Sequence, residues 1–415
     1  MRESPVAAQN FFDRMHDFTQ KRSADFWLFE GSLWLHMFAS SLISIFIPIL
    51  MLSTGFSLKE VLLFYILYHA LDIPANFLGR FLTSRFGARV TIILGTLASI
   101  VFFVLYSQVS DWSHLLWMAF FYALYDGLYY TASLFVFMNA TRDPENTGKN
   151  TGILHLVVRS ASLLGPLLGS LLVVASNGNK LIVVSVVITM FILSLIPLFF
   201  IKSINVGADT PSVSCKKFFG NKREIKNHLS YGLFKIHEAV EYIIFPIFIF
   251  LTFKELSSVA VLAVLVPIVS LIFSYAASNI KRAQREKIIM IGSALLVMVW
   301  ITRFMIESQL FLYVTVVATG FFTLFVLVPL DANMFLRGKE RGALSASMYR
   351  NVSSMSAKLL LFIVLYITVG LFAVPFGIAI TALLGVIYVN HRYLAWRKKQ
   401  PGIETSIPGL PRKNT

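Results

Sequence analysis

Runs of predominantly apolar residues, parted by short polar turns, follow one another along almost the whole chain. An α-helix needs about 20 such residues to cross the hydrocarbon core of a bilayer. By that measure the spans fall at 26–53, 57–80, 90–108, 114–138, 151–175 and 180–201, then at 230–252, 257–279, 287–306, 310–336, 343–369 and 371–392, which predicts twelve crossing helices. One polar stretch is longer than the rest. Lys202 to Leu229 carries Lys216, Lys217, Lys222, Arg223 and Lys226, and divides the spans into two sets of six. The expected organisation is an arm (1–25), a six-helix bundle (26–201), a basic linker (202–229), a second bundle (230–396) and a tail (397–415).

The two sets echo each other. The polar turn before the fifth span and the one before the eleventh align at a constant offset, Asn139 with Asn333 and Gly148 with Gly342. An intramembrane arginine follows each turn, Arg159 and Arg350. The run around Pro48 (44–58) resembles the run around Pro246 (242–256). Repeated six-helix halves suit a transporter whose substrate site lies at their interface near mid-membrane.

Composition supports a membrane protein and removes several other classes. The chain is 57% hydrophobic and 14% charged, too few charges to cover so much apolar surface in water. The net charge of +15 does not form one basic face, which argues against a nucleic-acid partner. The single cysteine, Cys215, excludes a disulfide framework and a thiolate metal cluster. No spacing suits a metal site, a phosphate-binding loop or a nucleophile with its base, so neither cofactor nor enzyme activity is expected.

Lysine and arginine crowd alternate turns: the arm, the turns around Arg85 and Lys149, the linker, the turns around Lys281 and Arg341, and the tail. The opposite side has Lys59, Lys180 and Lys254. The positive-inside rule therefore places both termini in the cytoplasm, and short loops suggest a bacterial inner membrane. Phe11, Phe12, Met15 and Phe18 with Arg14, Lys21 and Arg22 suit an arm lying on the membrane surface, with a disordered tail as the alternative.

Two motifs give the chain a resemblance to the major facilitator superfamily over nearly its whole length. That family carries G-x-x-x-D-R-x-G-R-R between its second and third helices. Here Arg80 to Arg89 keeps Arg85, Gly87 and Arg89, with the first glycine displaced to Gly79 and Ser84 in place of the aspartate. The resemblance implies a conformational latch at this turn, weakened by the loss of that acid. Drug and proton antiporters of the family carry G-x8-G-x3-G-P-x2-G-G in the fifth helix. Gly152, Ala161, Gly165, Pro166, Gly169 and Ser170 stand at that spacing. Small residues permit close helix approach, and proline bends the helix where it lines a cavity. The family's fourth-helix arginine is replaced by Ala123. The resemblance implies a central cavity lined by helices 2, 4, 5, 7, 10 and 11, with 3, 6, 9 and 12 outside it.

Ionisable residues at membrane depth cost several kcal/mol unless they face a cavity or a partner. Asp126, Glu241 and Lys358 fall near the middles of the fourth, seventh and eleventh spans. Lys235, Glu238 and Glu241 repeat every third residue and share one helix face. Asp126, Glu241, Glu238 and Asp72 are the expected proton-coupling residues, and Arg159, Lys358, Arg350 and Lys235 the expected substrate or charge-pair residues. The alternative for Asp126, Glu241 and Lys358 is a static ion-pair network. Lys235 and Arg350 also lie near enough to the cytoplasmic surface to reach lipid phosphates. Asp331 is expected to pair with Arg337 or Arg341, Arg303 with Glu307, and Glu30 to suit its helix dipole. His69 and Asp72 are spaced for a proton relay, whereas His36 and His155 stand alone.

The reading is an all-α polytopic protein, a monomeric secondary transporter of a small solute coupled to protons and working among membrane lipids. The fifth-helix motif and the aromatic run from Phe120 to Tyr130 around Asp126 point to export of lipophilic cations. Uptake of an organic anion or nutrient is the alternative, and a transport-inactive scaffold of the same fold is a third reading.

Overall fold

The computed structural model describes residues 24–109, 111–141, 147–175, 180–202, 214–254, 280–305 and 308–399, with scattered positions between 258 and 268. The arm as far as 23, the tail beyond 399, Glu307 and most of the eighth span lie outside the described residues. Every other expected span is a helix. In the first half these are Ala24–Ser53, Leu58–Phe86, Ala88–Ser107, Trp112–Ala140, Thr147–Ala175 and Lys180–Leu195, the last continued by a 3-10 turn to Phe200. In the second half they are Lys222–Phe253 (the seventh), Arg285–Met305 (ninth), Gln309–Arg341 (tenth), Ala343–Ile367 (eleventh) and Ala373–Lys398 (twelfth). Among the described residues ten helices are long and apolar enough to cross a membrane. The fourth is not among them, because its tyrosines and Asp126 lower its hydropathy. It is instead buried along much of its length.

The seventh helix begins at Lys222, not at 230. Asn221 caps it by accepting the Arg223 amide (2.8 Å), and two of its first polar side chains find partners on neighbouring helices. Glu224 pairs with Arg337 (3.2 Å) and Lys226 with Glu286 (3.4 Å). Paired charges let the helix extend through sequence that reads as linker.

Proline breaks the first and seventh helices at corresponding places. The first ends its regular part at Ser41, passes through a 3-10 turn (Ser44–Phe46) and resumes at Ile47 with Pro48 in its first turn. The seventh passes through a π turn at Val240–Ile244 and resumes at Phe245, again with proline, Pro246, in its first turn. Proline has no N–H to donate to the preceding turn, so the ladder must change pitch there. The resemblance of the two runs in sequence is thus a resemblance in backbone.

In the first half the fourth helix packs against the second and third, and the fifth against the first. The approaches are close because glycines meet backbone. A Cβ on Gly79 would lie 2.6 Å from the Gly127 carbonyl oxygen, and one on Gly95 2.8 Å from the Tyr129 nitrogen. Cβ atoms on Gly165 and Gly169 would overlap Ser41 and the Leu42 carbonyl. This is the work of the small residues in the fifth-helix motif, whose Ala161 carbonyl also accepts the Ser41 hydroxyl (3.1 Å). Gly152 is buried and Pro166 lies within the helix.

The halves meet where the second and fourth helices touch the eleventh and the fifth touches the tenth. The end of the molecule that carries the turns at Gly87 and Gly342 is called the basic end below.

Candidate functional site

A cavity of about 320 Å³ lies between the halves, within the range of small-molecule sites. Both proline breaks open onto it, so its wall includes Ser44 and Ile45 from the first and Glu241 and Tyr242 from the seventh. Tyr65, Tyr68 and His69 contribute from the second helix, Tyr122 from the fourth, Arg159 from the fifth and Lys358 from the eleventh. Polar groups from both halves thus converge on one space.

The charges in and around this space are not alike. Glu241 gives both carboxylate oxygens to Arg303, whose Nη1 and Nη2 donate at 2.6 and 3.0 Å. Glu307, the expected partner of Arg303, lies outside the described residues. Arg303 is buried, Thr315 and Thr319 accept from its Nε and Nη2 (2.9 and 3.2 Å), and the rings of Phe245 and Trp300 lie 4.0 and 4.4 Å away. A planar guanidinium suits such bidentate, ring-flanked burial.

Arg159 and Lys358 stand differently. Arg159 donates to the Tyr242 hydroxyl at 3.5 Å, and neither it nor Lys358 forms an ion pair with a described residue. Lys358 senses the field of Asp126, Asp72 and Glu238 without touching them. Two cations therefore face the cavity without a bonded counter-charge.

Behind the tyrosines sits a second layer of acids. Asp126 accepts the Tyr68 hydroxyl at 2.8 Å. Asp72 accepts Asn76 Nδ2 at 3.0 Å, and Asn76 accepts the Thr131 hydroxyl at 2.8 Å. The other Asp72 oxygen and both ring nitrogens of His69 are buried without a partner. Asp72 and Asp126 are close enough to repel one another. Tyr125 and Tyr129, part of the aromatic run expected to surround a cationic guest, pack instead on His36, which hydrogen-bonds Tyr125 (3.0 Å) and stacks on Tyr129. His36 is therefore a packed interior residue.

Lys235 pairs with Glu238 one turn along the same helix, as their spacing predicts, and its ammonium lies over Tyr231. Asp331 is bound elsewhere than at Arg337, and the Arg341 side chain lies outside the described residues. Arg350 donates to its Oδ1 from Nε and Nη2 (3.0 and 2.7 Å), and His155 meets its Oδ2 at 3.0 Å. Asp331 is buried, and its two oxygens are taken up by Arg350 of the eleventh helix and His155 of the fifth. His155, isolated in sequence, thereby joins the two halves near the basic end. Ser347 adds a hydroxyl donated to the Thr131 carbonyl (2.7 Å).

The turn between the second and third helices holds its retained residues apart from this joint. Gly87 takes φ +88°, which favours glycine, Arg89 donates to the Ile201 carbonyl (2.9 Å), and Arg85 lies over Phe86. Ser84 bonds only within its own turn, to Phe81 O (2.8 Å).

Residues 31–357 match the family model described as Major Facilitator Superfamily. None of the curated proteins compared with the chain matches it. Among solved structures, a bacterial homologue of the iron transporter ferroportin in an outward-facing state superposes with a TM-score of 0.69 at 12% identity, over 90% of this chain and 100% of that one. The human organic anion transporter MFSD10 (TETRAN) superposes with a TM-score of 0.61 at 14% identity, over 89% and 100%. At such identities the likeness is one of fold.

Proposed function

The chain belongs to the major facilitator superfamily, and on that premise we propose that this secondary transporter moves organic anions together with protons. One observation carries the reading: Arg159 and Lys358 line the cavity without an ion pair to any described residue, while Glu241 in the same wall is held by Arg303. A cation at membrane depth needs a counter-charge, and a guest carboxylate, sulfonate or phosphate supplies one with charge-assisted hydrogen bonds.

Export of lipophilic cations is the weaker alternative, because it requires a cavity carboxylate free to receive them. Asp126 stands behind the Tyr68 hydroxyl and Glu241 is engaged. Proton coupling falls to Asp72 and Asp126, whose mutual repulsion and unpartnered oxygen suit a co-transported proton. Glu238 is paired with Lys235 and serves to hold the helix face. On this reading the basic end faces the cytoplasm of a bacterial cell and a single chain is the transporting unit among its lipids.

A thermal-shift panel on the purified protein tests the substrate class. A ligand that binds the folded state raises its melting temperature with concentration. Aryl and alkyl carboxylates and sulfonates are expected to do so and lipophilic cations are not, and Lys358→Ala is expected to remove the anion response. Stabilisation by cations alone would overturn the proposal.

A further inference from the structure

We infer that Arg303, which lies outside the cavity wall, is the residue that makes the cavity select anions, by cancelling the charge of Glu241. The inference rests on the anion reading and deepens it. Both Glu241 oxygens accept from Arg303, whose Nε and Nη2 also donate to Thr315 and Thr319, with the rings of Phe245 and Trp300 beside the guanidinium. The pair is fully enclosed, with side-chain exposures of 0% for Arg303 and 2% for Glu241. Arg303 is thus held behind the cavity wall and is not among the residues that line it.

Its effect on the cavity comes through position alone. Glu241 sits in the same wall as Arg159 and Lys358, next in sequence to Tyr242, whose hydroxyl Arg159 already touches. Without Arg303 an uncompensated carboxylate would stand in the same wall as the two cations, where its negative charge opposes that of an anionic guest and attracts a cationic one. The ninth helix thus sets the specificity of a site to which it contributes no wall residue.

A double-variant cycle on the full chain tests this, read as the affinity of benzoate and benzenesulfonate, with tetraphenylphosphonium as the cationic probe. Arg303→Gln is expected to weaken anion binding about tenfold or more, since an uncompensated like charge at a site costs several kcal/mol. It should also admit the cationic probe. The double variant, Arg303→Gln with Glu241→Gln, removes the acid as well and is expected to recover the anion affinity lost in the single variant. Glu241→Gln alone leaves an additional positive charge and should bind the anions more tightly than the double variant does.

Equal loss in the single and double variants would mean that Arg303 acts only as a brace, and would overturn the inference. Unchanged anion affinity in Arg303→Gln would overturn it too. Should Arg303→Gln fail to fold, Glu241→Gln and the double variant still decide, because equal anion affinities in those two exclude a charge effect. Failure of the anion reading is separate: wild-type protein that is folded and binds no anion overturns that reading, while a cationic probe admitted only by Arg303→Gln would still uphold the role of Arg303.

Discussion

Asp331→Asn is expected to cost about 3–5 kcal/mol of stability, the penalty for leaving one partner of a buried ion pair uncompensated. Asp331 is buried and bound by Arg350 from the eleventh helix and by His155 from the fifth. Two consequences separate. The Asp331–Arg350 bond lies within the second half, so its loss weakens every folded state. The Asp331–His155 bond crosses between halves, so its loss weakens only states closed at the basic end. His155→Ala should therefore leave the melting temperature nearly unchanged, at a cost of about 1 kcal/mol, yet favour opening. Spin labels at Arg85→Cys and Gln284→Cys, with Cys215→Ser, would read the separation at that end. An Asp331→Asn protein with wild-type melting, or a His155→Ala protein with wild-type distances, would remove the ion pair from the account of this joint.

Gly169→Ala is expected to be of comparable severity, about 3 kcal/mol or more, above the usual penalty for overpacking. The added methyl group would enter the Leu42 carbonyl, which is backbone and sits in the short link between the regular turns of the first helix and its 3-10 turn. Nothing there can swing aside. Gly165→Ala meets the Ser41 side chain first, so part of its cost is the loss of the Ser41 hydroxyl bonds to Phe38 and Ala161. Gly31→Ala is the control. No atom lies within 4 Å of its built Cβ. Helix propensity alone should then stabilise it by about 1 kcal/mol. Melting temperatures of the three variants in one detergent would check the order, and a Gly169→Ala protein as stable as wild type would contradict the packing.

The spans were legible because long apolar runs have one use, and the likeness of the first and seventh helices because Pro48 and Pro246 stand in matching runs, though not that each helix changes pitch there. Local pairs were legible too: Lys235 and Glu238 are one turn apart, and that spacing alone brings them together. Pairs across the bundle were not. Glu241 finds Arg303 and Asp331 finds His155 through packing between helices far apart in the chain, and no periodicity encodes such partners. For Arg303 the sequence offered Glu307, a plausible neighbour. The flanking Trp300 was the available sign that the guanidinium points inward, since an arginine beside an aromatic ring often stacks on it. The start of the seventh helix was missed for the same reason, because Glu224 and Lys226 read as linker until their partners on the tenth and ninth helices are known.

The halves touch at both ends of the cavity, by different means. At the basic end they are joined by His155, Asp331 and the Ser347 hydroxyl, whereas at the far end Tyr65 stacks on Phe362 with ring centroids 4.8 Å apart. Parting the first contact puts ions into water, where dissolved salt stabilises them. Parting the second wets aromatic surface, and that carries a positive heat capacity. The two gates are thus tuned by different variables of the surroundings. Raising ionic strength is expected to ease the charged contact and cooling the aromatic one, so that in a protein cycling by alternating access the resting balance would respond to both salt and temperature.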